Sequence, residues 1–362
     1  MKVFPWVCDG FNRHRSGFRT ISTALLLTWV CGTGLSLSLS GCDTAKGIDY
    51  DGRRILVVDM HLHSGEWDAI PEDTRKFIGS RFPFPLSLNP KTTAEGILSA
   101  EGILSELDKA RVSQAVLFAV YAPRTVGIAT NERVIADTAT APDRLFGLAS
   151  LRIDNFRTDK DAELQRLRTA LANPSMIGIK LAHAHQHFRM DDPTYFGIYQ
   201  VSSDLKKPVY LHTGSSPFPG TSSEAPYTDP TYLEPAVKAY PGAIFILGHL
   251  GYNFTDQQSG SLDACIHLAK TYPNVYLEPS ALGSKGSDPT GENLKVAMQK
   301  LREAGLVDRI IYGSDGPQSP GFVKDYLSRT VTAMKASGYT ADEAQSVFSG
   351  NFARVFRVAP AK

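Results

Sequence analysis

Past residue 54 the chain repeats one pattern, a continuous apolar run of strand length followed by a stretch of helical periodicity. The runs cover 55–60, 114–120, 145–151, 176–181, 208–211, 243–247, 274–277 and 309–312. They are apolar throughout rather than alternating, as parallel strands covered on both faces should be. Helical stretches such as 162–171 and 230–240 separate them. Eight strand–helix units predict an α/β fold, a (β/α)8 TIM barrel over residues 54–358.

Two segments break the repeat. Residues 63–93 hold many Pro, Gly and aromatic residues and are too long for a simple connection, so they read as a lid over a site. Directly after them, Ala94-Glu-Gly-Ile-Leu-Ser99 is followed at once by the same hexapeptide, Ala100-Glu-Gly-Ile-Leu-Ser105. Six residues are about 1.7 helical turns, so one helix would carry the two Ile-Leu pairs on different faces. The second copy continues into the helix before the second strand, and the first reads as an extension of that helix's N-terminus.

The first 41 residues read as a segment removed before folding. Lys2, Arg13, Arg15 and Arg19 precede a short apolar core at 21–30, then small residues up to Leu39-Ser40-Gly41-Cys42. The core is too short for a membrane span, which needs about 20 residues. Leu-Ser-Gly-Cys resembles a bacterial lipobox, in which the Cys is acylated and becomes the first mature residue. That implies lipidation of Cys42, a tether at 42–53, and a membrane-anchored protein on the periplasmic side of a bacterial envelope. Of the four cysteines, only Cys265 then stays in the folded part, in a helical apolar pattern that reads as a buried, inert thiol. Removing residues 1–41 leaves 34 basic and 36 acidic side chains, a net charge of −2. No basic stripe points to nucleic acid. Composition is ordinary, at 42% hydrophobic and 21% charged, which excludes disorder and coiled coil.

The chemistry gathers at strand ends. Asp59-Met60-His61-Leu62-His63 ends the first strand, and residues i and i+2 of a strand point to one side. Lys180 ends the fourth strand, His212 the fifth, His249 the sixth and Asp315 the eighth. The separations of 117, 32, 37 and 66 residues, counted from His63, are multiples of one barrel unit. All therefore fall at the C-terminal mouth, where barrel enzymes place their sites. Imidazole and carboxylate suit zinc, and three or four protein ligands leave a position for water.

These motifs, with Phe348-Ser-Gly-Asn351-Phe-Ala-Arg354-Val-Phe at the end, resemble the amidohydrolase superfamily, in its branch that includes decarboxylases and lactonases. The resemblance implies that His61, His63, His212 and Asp315 ligate a divalent metal, most often zinc, with one ion favoured over two. His249 then ligates a second ion or steadies water or substrate. Lys180 either bridges two ions as a carboxylated lysine, contacts substrate, or pairs with Asp315. Asp315 and His249 are the acid–base candidates.

Other residues carry weaker expectations. His183, His185 and His187 read as a loop from which one histidine, taken here as His183, reaches substrate, or as a metal-capturing tract. Arg124 and Arg152 are candidates for a substrate carboxylate, and Glu278 for a hydrogen bond to a ligand histidine. Trp67, Tyr252 and Phe254 either line the pocket or pack the lid. The leading function is a metal-dependent hydrolase of an amide, ester or lactone bond in a small molecule. Its alternatives are a metal-dependent, non-oxidative decarboxylase of an unsaturated or aromatic acid, and a lipid-anchored metal- or solute-binding protein without turnover. A homo-oligomer is compatible with either enzyme.

Overall fold

The computed structural model describes residues 46–359. The leader, the lipobox and Cys42 lie outside the described residues. Seven strands form one parallel sheet: β1 (Val58–Leu62), β2 (Gln114–Phe118), β3 (Leu145–Ala149), β4 (Met176–Leu181), β5 (Val209–His212), β6 (Phe245–Gly248) and β7 (Val275–Glu278). Neighbours in the sheet are neighbours in sequence, from β1 to β7. Both faces are buried because the runs are apolar at every position. On β2, Ala115 and Leu117 pack outward under the helices, while Val116 and Phe118 pack inside the barrel. Phe352 and Phe356 of the helix Asn351–Phe356 join that inner cluster.

The eighth run does not form a strand of its own. It closes the barrel through single bridges, Leu277 to Ile310 and Leu62 to Gly316. The Ile311 N–H donates to the Leu277 carbonyl at 2.9 Å, and the Met60 N–H to the Tyr312 carbonyl at 3.1 Å. A continuous ladder is interrupted where Asp315 takes a left-handed conformation, φ +64°. β1 is irregular as well, since Asp59 to Leu62 lies opposite only Ala115 to Leu117 of β2. This bulge re-aims the strand end. It lets His61 face the barrel interior although Val58 and Met60 already do.

Three expectations need correction. Residues 48–53, read as tether, belong to the folded domain: Ile48–Tyr50 pairs antiparallel with Arg53–Ile55, and the buried Tyr50 hydroxyl donates to the Tyr339 carbonyl at 3.0 Å. The stretch 230–240 is a 3-10 turn (Pro230–Leu233) followed by a short helix (Glu234–Ala239), because Pro230 and Pro235 suit only first turns. The duplicated hexapeptide is not one lengthened helix. The segment after β1 holds α1 (Glu72–Arg81), α2 (Pro90–Leu98) and α3 (Ala100–Ala110). Ser99 stands extended between α2 and α3, and its hydroxyl caps α3 by accepting the Gly102 N–H at 3.0 Å. A Cβ on Gly102 would overlap the Gly96 carbonyl, so the glycine of the second copy lets the two copies pack on each other. Among the described residues, no helix is long and apolar enough to cross a membrane.

Candidate metal centre

The C-terminal ends of the strands open into a cavity of about 850 Å³. His61, His63, Lys180, His212, His249 and Asp315 all line it, as the spacing predicts.

His61 is fully buried and stacks on Phe118 with centroids 4.3 Å apart. Its Nδ1 meets Ser280 Oγ at 3.0 Å, the Tyr210 hydroxyl at 3.0 Å and Glu278 Oε1 at 3.4 Å. Burial would lower the ring's pKa, yet the carboxylates of Asp315 and Glu278 raise it. The three groups at Nδ1 fix the ring so that Nε2 faces the cavity. There Nε2 lies 3.2 Å from His63 Nε2 and 3.0 Å from Asp315 Oδ1. His63 Nε2 is itself 3.0 Å from the same oxygen. Burial would raise the Asp315 carboxyl, yet His61 and His63 beside it hold it well below the usual carboxylate range.

His249 directs Nδ1 at the Ser280 carbonyl, 3.1 Å away, so its Nε2 also faces inward. Burial pushes its pKa down to about 4, which keeps the ring neutral. One ligand atom from each of His61, His249 and Asp315 lies within 4.8 Å of the others. The His212 ring stands 4.5 Å from the His249 ring, and its buried Nε2 has no hydrogen-bond partner. Two converging imidazole nitrogens on one carboxylate oxygen, with an orphaned third nitrogen nearby, are a donor set that suits a divalent cation. Asp59 braces the set: its Oδ1 accepts the His61 N–H at 3.1 Å and the Ser314 N–H at 2.9 Å.

Lys180 is 3% exposed, and among the described residues no carboxylate lies within ion-pair distance of it. Its ammonium sits 4.2 Å from the Tyr210 ring and 4.8 Å from the Phe118 ring. Burial lowers its pKa to about 7, although Asp315 and Glu278 oppose that shift. Glu278 accepts from Ser280 Oγ at 2.7 Å and the Tyr210 hydroxyl at 3.2 Å, while its Oε1, 3.4 Å from His61 Nδ1, makes no hydrogen bond, so it reaches His61 through those two hydroxyls rather than by the expected direct bond.

The structure leaves three expected substrate contacts outside the cavity. Arg124 is exposed and pairs with Asp154. Arg152 is exposed and lies over the Tyr121 ring at 5.5 Å. His183 is buried against Phe188, 4.2 Å between centroids, and neither ring nitrogen has a partner. His185, two residues on, lines the cavity instead, 5.0 Å from the His212 ring. Phe254 lines the cavity, whereas Trp67 and Tyr252 only pack behind it. Sequence reasoning missed Asp59, Tyr210 and Ser280 as positioning residues. Each stands two places from a residue it did single out, and that spacing was the available signal.

The family model for amidohydrolases matches residues 58–358. No curated protein matches the chain. An uncharacterized TIM-barrel protein from Bordetella bronchiseptica is similar in structure, with a TM-score of 0.63 at 19% identity, over 85% of this chain and 100% of the other. A probable 2-pyrone-4,6-dicarboxylic acid hydrolase from Acinetobacter baumannii, solved with citric acid, gives 0.56 at 18% identity, over 83% and 99%. A 5-carboxyvanillate decarboxylase from Novosphingobium aromaticivorans, complexed with manganese and a nitrobenzoic acid, gives 0.59 at 15% identity, over 87% and 99%.

Proposed function

The chain belongs to the amidohydrolase family, and on that premise we propose that it is a metal-dependent enzyme that decarboxylates a small unsaturated or aromatic acid. The observation that carries this reading is Lys180, a buried amine that forms no ion pair with a carboxylate among the described residues, lining a largely apolar cavity together with His61, His63 and Asp315. Burial lowers the Lys180 pKa to about 7, so an anionic ligand beside it would be held by, and would restore, the ammonium form. The similar structures named after a pyrone dicarboxylic acid and a carboxyvanillate add to it, because both names are those of organic acids.

His61, His63 and Asp315, with His212 or His249, are the residues to hold the ion, and manganese and zinc both suit them. Bound there, the ion supplies a fixed positive charge that polarises the substrate's oxygen atoms. Lys180 holds the acid and orients it. Asp315 is held ionised by its neighbours, so it first takes the proton of the substrate's own carboxyl group and then returns that proton to the carbon that loses the group. The carbon–carbon bond breaks, its electron pair takes that proton, and CO2 leaves.

Hydrolysis of a lactone or amide in such an acid is the second reading. It is favoured by the partly exposed His63 and Asp315 side chains, 35% and 21%, which leave room for a water molecule where Asp315 can take its proton. The test is a screen of aromatic acids and lactone acids with manganese or zinc, following CO2 and newly formed acid separately. CO2 is the expected product, and Lys180→Met should raise KM about ten- to a hundredfold by removing a charged hydrogen bond. New acid without CO2 would replace decarboxylation by hydrolysis. No turnover of any acid would leave the binding-protein reading.

A further inference from the structure

The cavity is larger than its polar floor requires. About 850 Å³ is near the upper end of sites that enclose drug-sized ligands. Besides Arg81, the charged residue that the α1–α2 segment adds, Phe77, Ile78, Phe82, Ile97 and Leu98 of that segment, with Val126, also line the cavity and give it an apolar wall. Four of these belong to a small cluster of their own with Trp67 and Ala94, separate from both clusters of the barrel. Ile78 and Leu98 are only half-buried where they line the cavity, whereas the Phe77 ring is covered by the Arg81 guanidinium at 4.2 Å and packs on Phe218.

The two hexapeptide copies divide the labour. In the second copy, Ile103 is fully buried in the main core of the barrel. In the first, Ala94, Ile97 and Leu98 all line the cavity. The same six residues thus appear once as scaffold and once as cavity wall.

We propose that the wall supplied by the first copy is a binding surface for an extended apolar group, which makes the substrate an amphipathic carboxylic acid. Its carboxylate meets Lys180 and its hydrocarbon part lies along Ile97 and Leu98. This rests on the acid reading given above and adds the substrate class to it. The wall offers no hydrogen bond to water, so each methylene that displaces water gains affinity, up to about fourfold when fully buried.

Calorimetric titration with straight-chain carboxylates from hexanoate to decanoate tests this without needing turnover. Affinity should tighten two- to fourfold per methylene. Ile97→Asn should flatten that dependence, lowering decanoate affinity more than hexanoate affinity, and Ile97→Ala should reduce it partly. Lys180→Met should weaken every acid by a similar factor. If the unaltered protein binds hexanoate and decanoate equally while Lys180→Met weakens both, the apolar wall is not a substrate surface and the acid reading stands. If affinity climbs with chain length but Lys180→Met changes nothing, the wall is upheld and the acid reading fails.

Discussion

His61 shows how many neighbours it takes to aim one ring nitrogen. Ser280, Tyr210 and Glu278 hold one side of its ring so that the other can face the cavity. The strand-end spacing made His61, His63, His212, His249 and Asp315 legible in sequence, because a barrel repeats its geometry every unit. His183 was not legible as a packing residue. The chain turns into a short helix, His183–Gln186, straight after β4, and consecutive helical residues point about 100° apart. Which of three alternate histidines meets the cavity is then set by helical phase, which a loop reading cannot supply. Arg124 and Arg152 failed for a simpler reason, as flexible exposed side chains follow surface partners rather than strand ends. The position of His183 has a pH consequence. Burial, with Lys180 adding to it, pushes its pKa to about 3, whereas an unfolded imidazole titrates near 6.5. Below pH 6.5 the unfolded chain binds the proton and the folded one does not, so stability falls as pH drops towards 3. His183→Leu should make urea-unfolding stability less pH-dependent, by up to ~1.4 kcal/mol per pH unit between pH 6 and 4. Identical slopes for the two proteins would mean that His183 is protonated in the fold.

At the scale of elements, periodicity showed where strands and helices lie but not how they end. The β1 bulge and the bridge-only eighth segment lie where backbone groups serve a side chain: Asp59 accepts the His61 and Ser314 N–H groups. The duplication was visible, but its outcome was not. A break at Ser99 depends on a cap and on contact between the copies, neither of which helical phase reveals. The two glycines separate these effects. Gly102 lies against the Gly96 carbonyl, so Gly102→Ala should push α2 from α3 and cost about 1–3 kcal/mol. A Cβ on Gly96 meets nothing, so Gly96→Ala should stabilise by about 0.5–1 kcal/mol through helix propensity. Thermal melts of the two variants check this, and equal midpoints would show that the copies do not need their close approach.

Across the whole molecule, the described chain enters the barrel far from the cavity. The Gly47 N–H donates to the Arg111 carbonyl at 2.8 Å, just after α3 and ahead of β2, so it lies on the N-terminal side of the strands. Cys42 stands in a lipobox-like context outside the described residues, and we propose that it carries a lipid. Full-length protein should then fractionate with membranes, and Cys42→Ser should release it or stall its processing with turnover of the released enzyme unchanged. Recovery of the unaltered protein in the soluble fraction would remove the anchor. The barrel was legible because eight apolar runs can close in few ways, whereas the cavity's apolar wall depends on an insertion whose packing no period describes. The central claim is that the barrel mouth holds a divalent ion which Asp315 shares with the histidines. Equilibrium dialysis against manganese, with turnover of the acid found in the screen followed on the same samples, tests it most directly. The account predicts about one ion per chain, and an Asp315→Asn protein that folds, keeps much of its ion and loses roughly 10²–10⁴-fold in turnover. Full turnover by ion-free protein, or by Asp315→Asn with the ion bound, would contradict it.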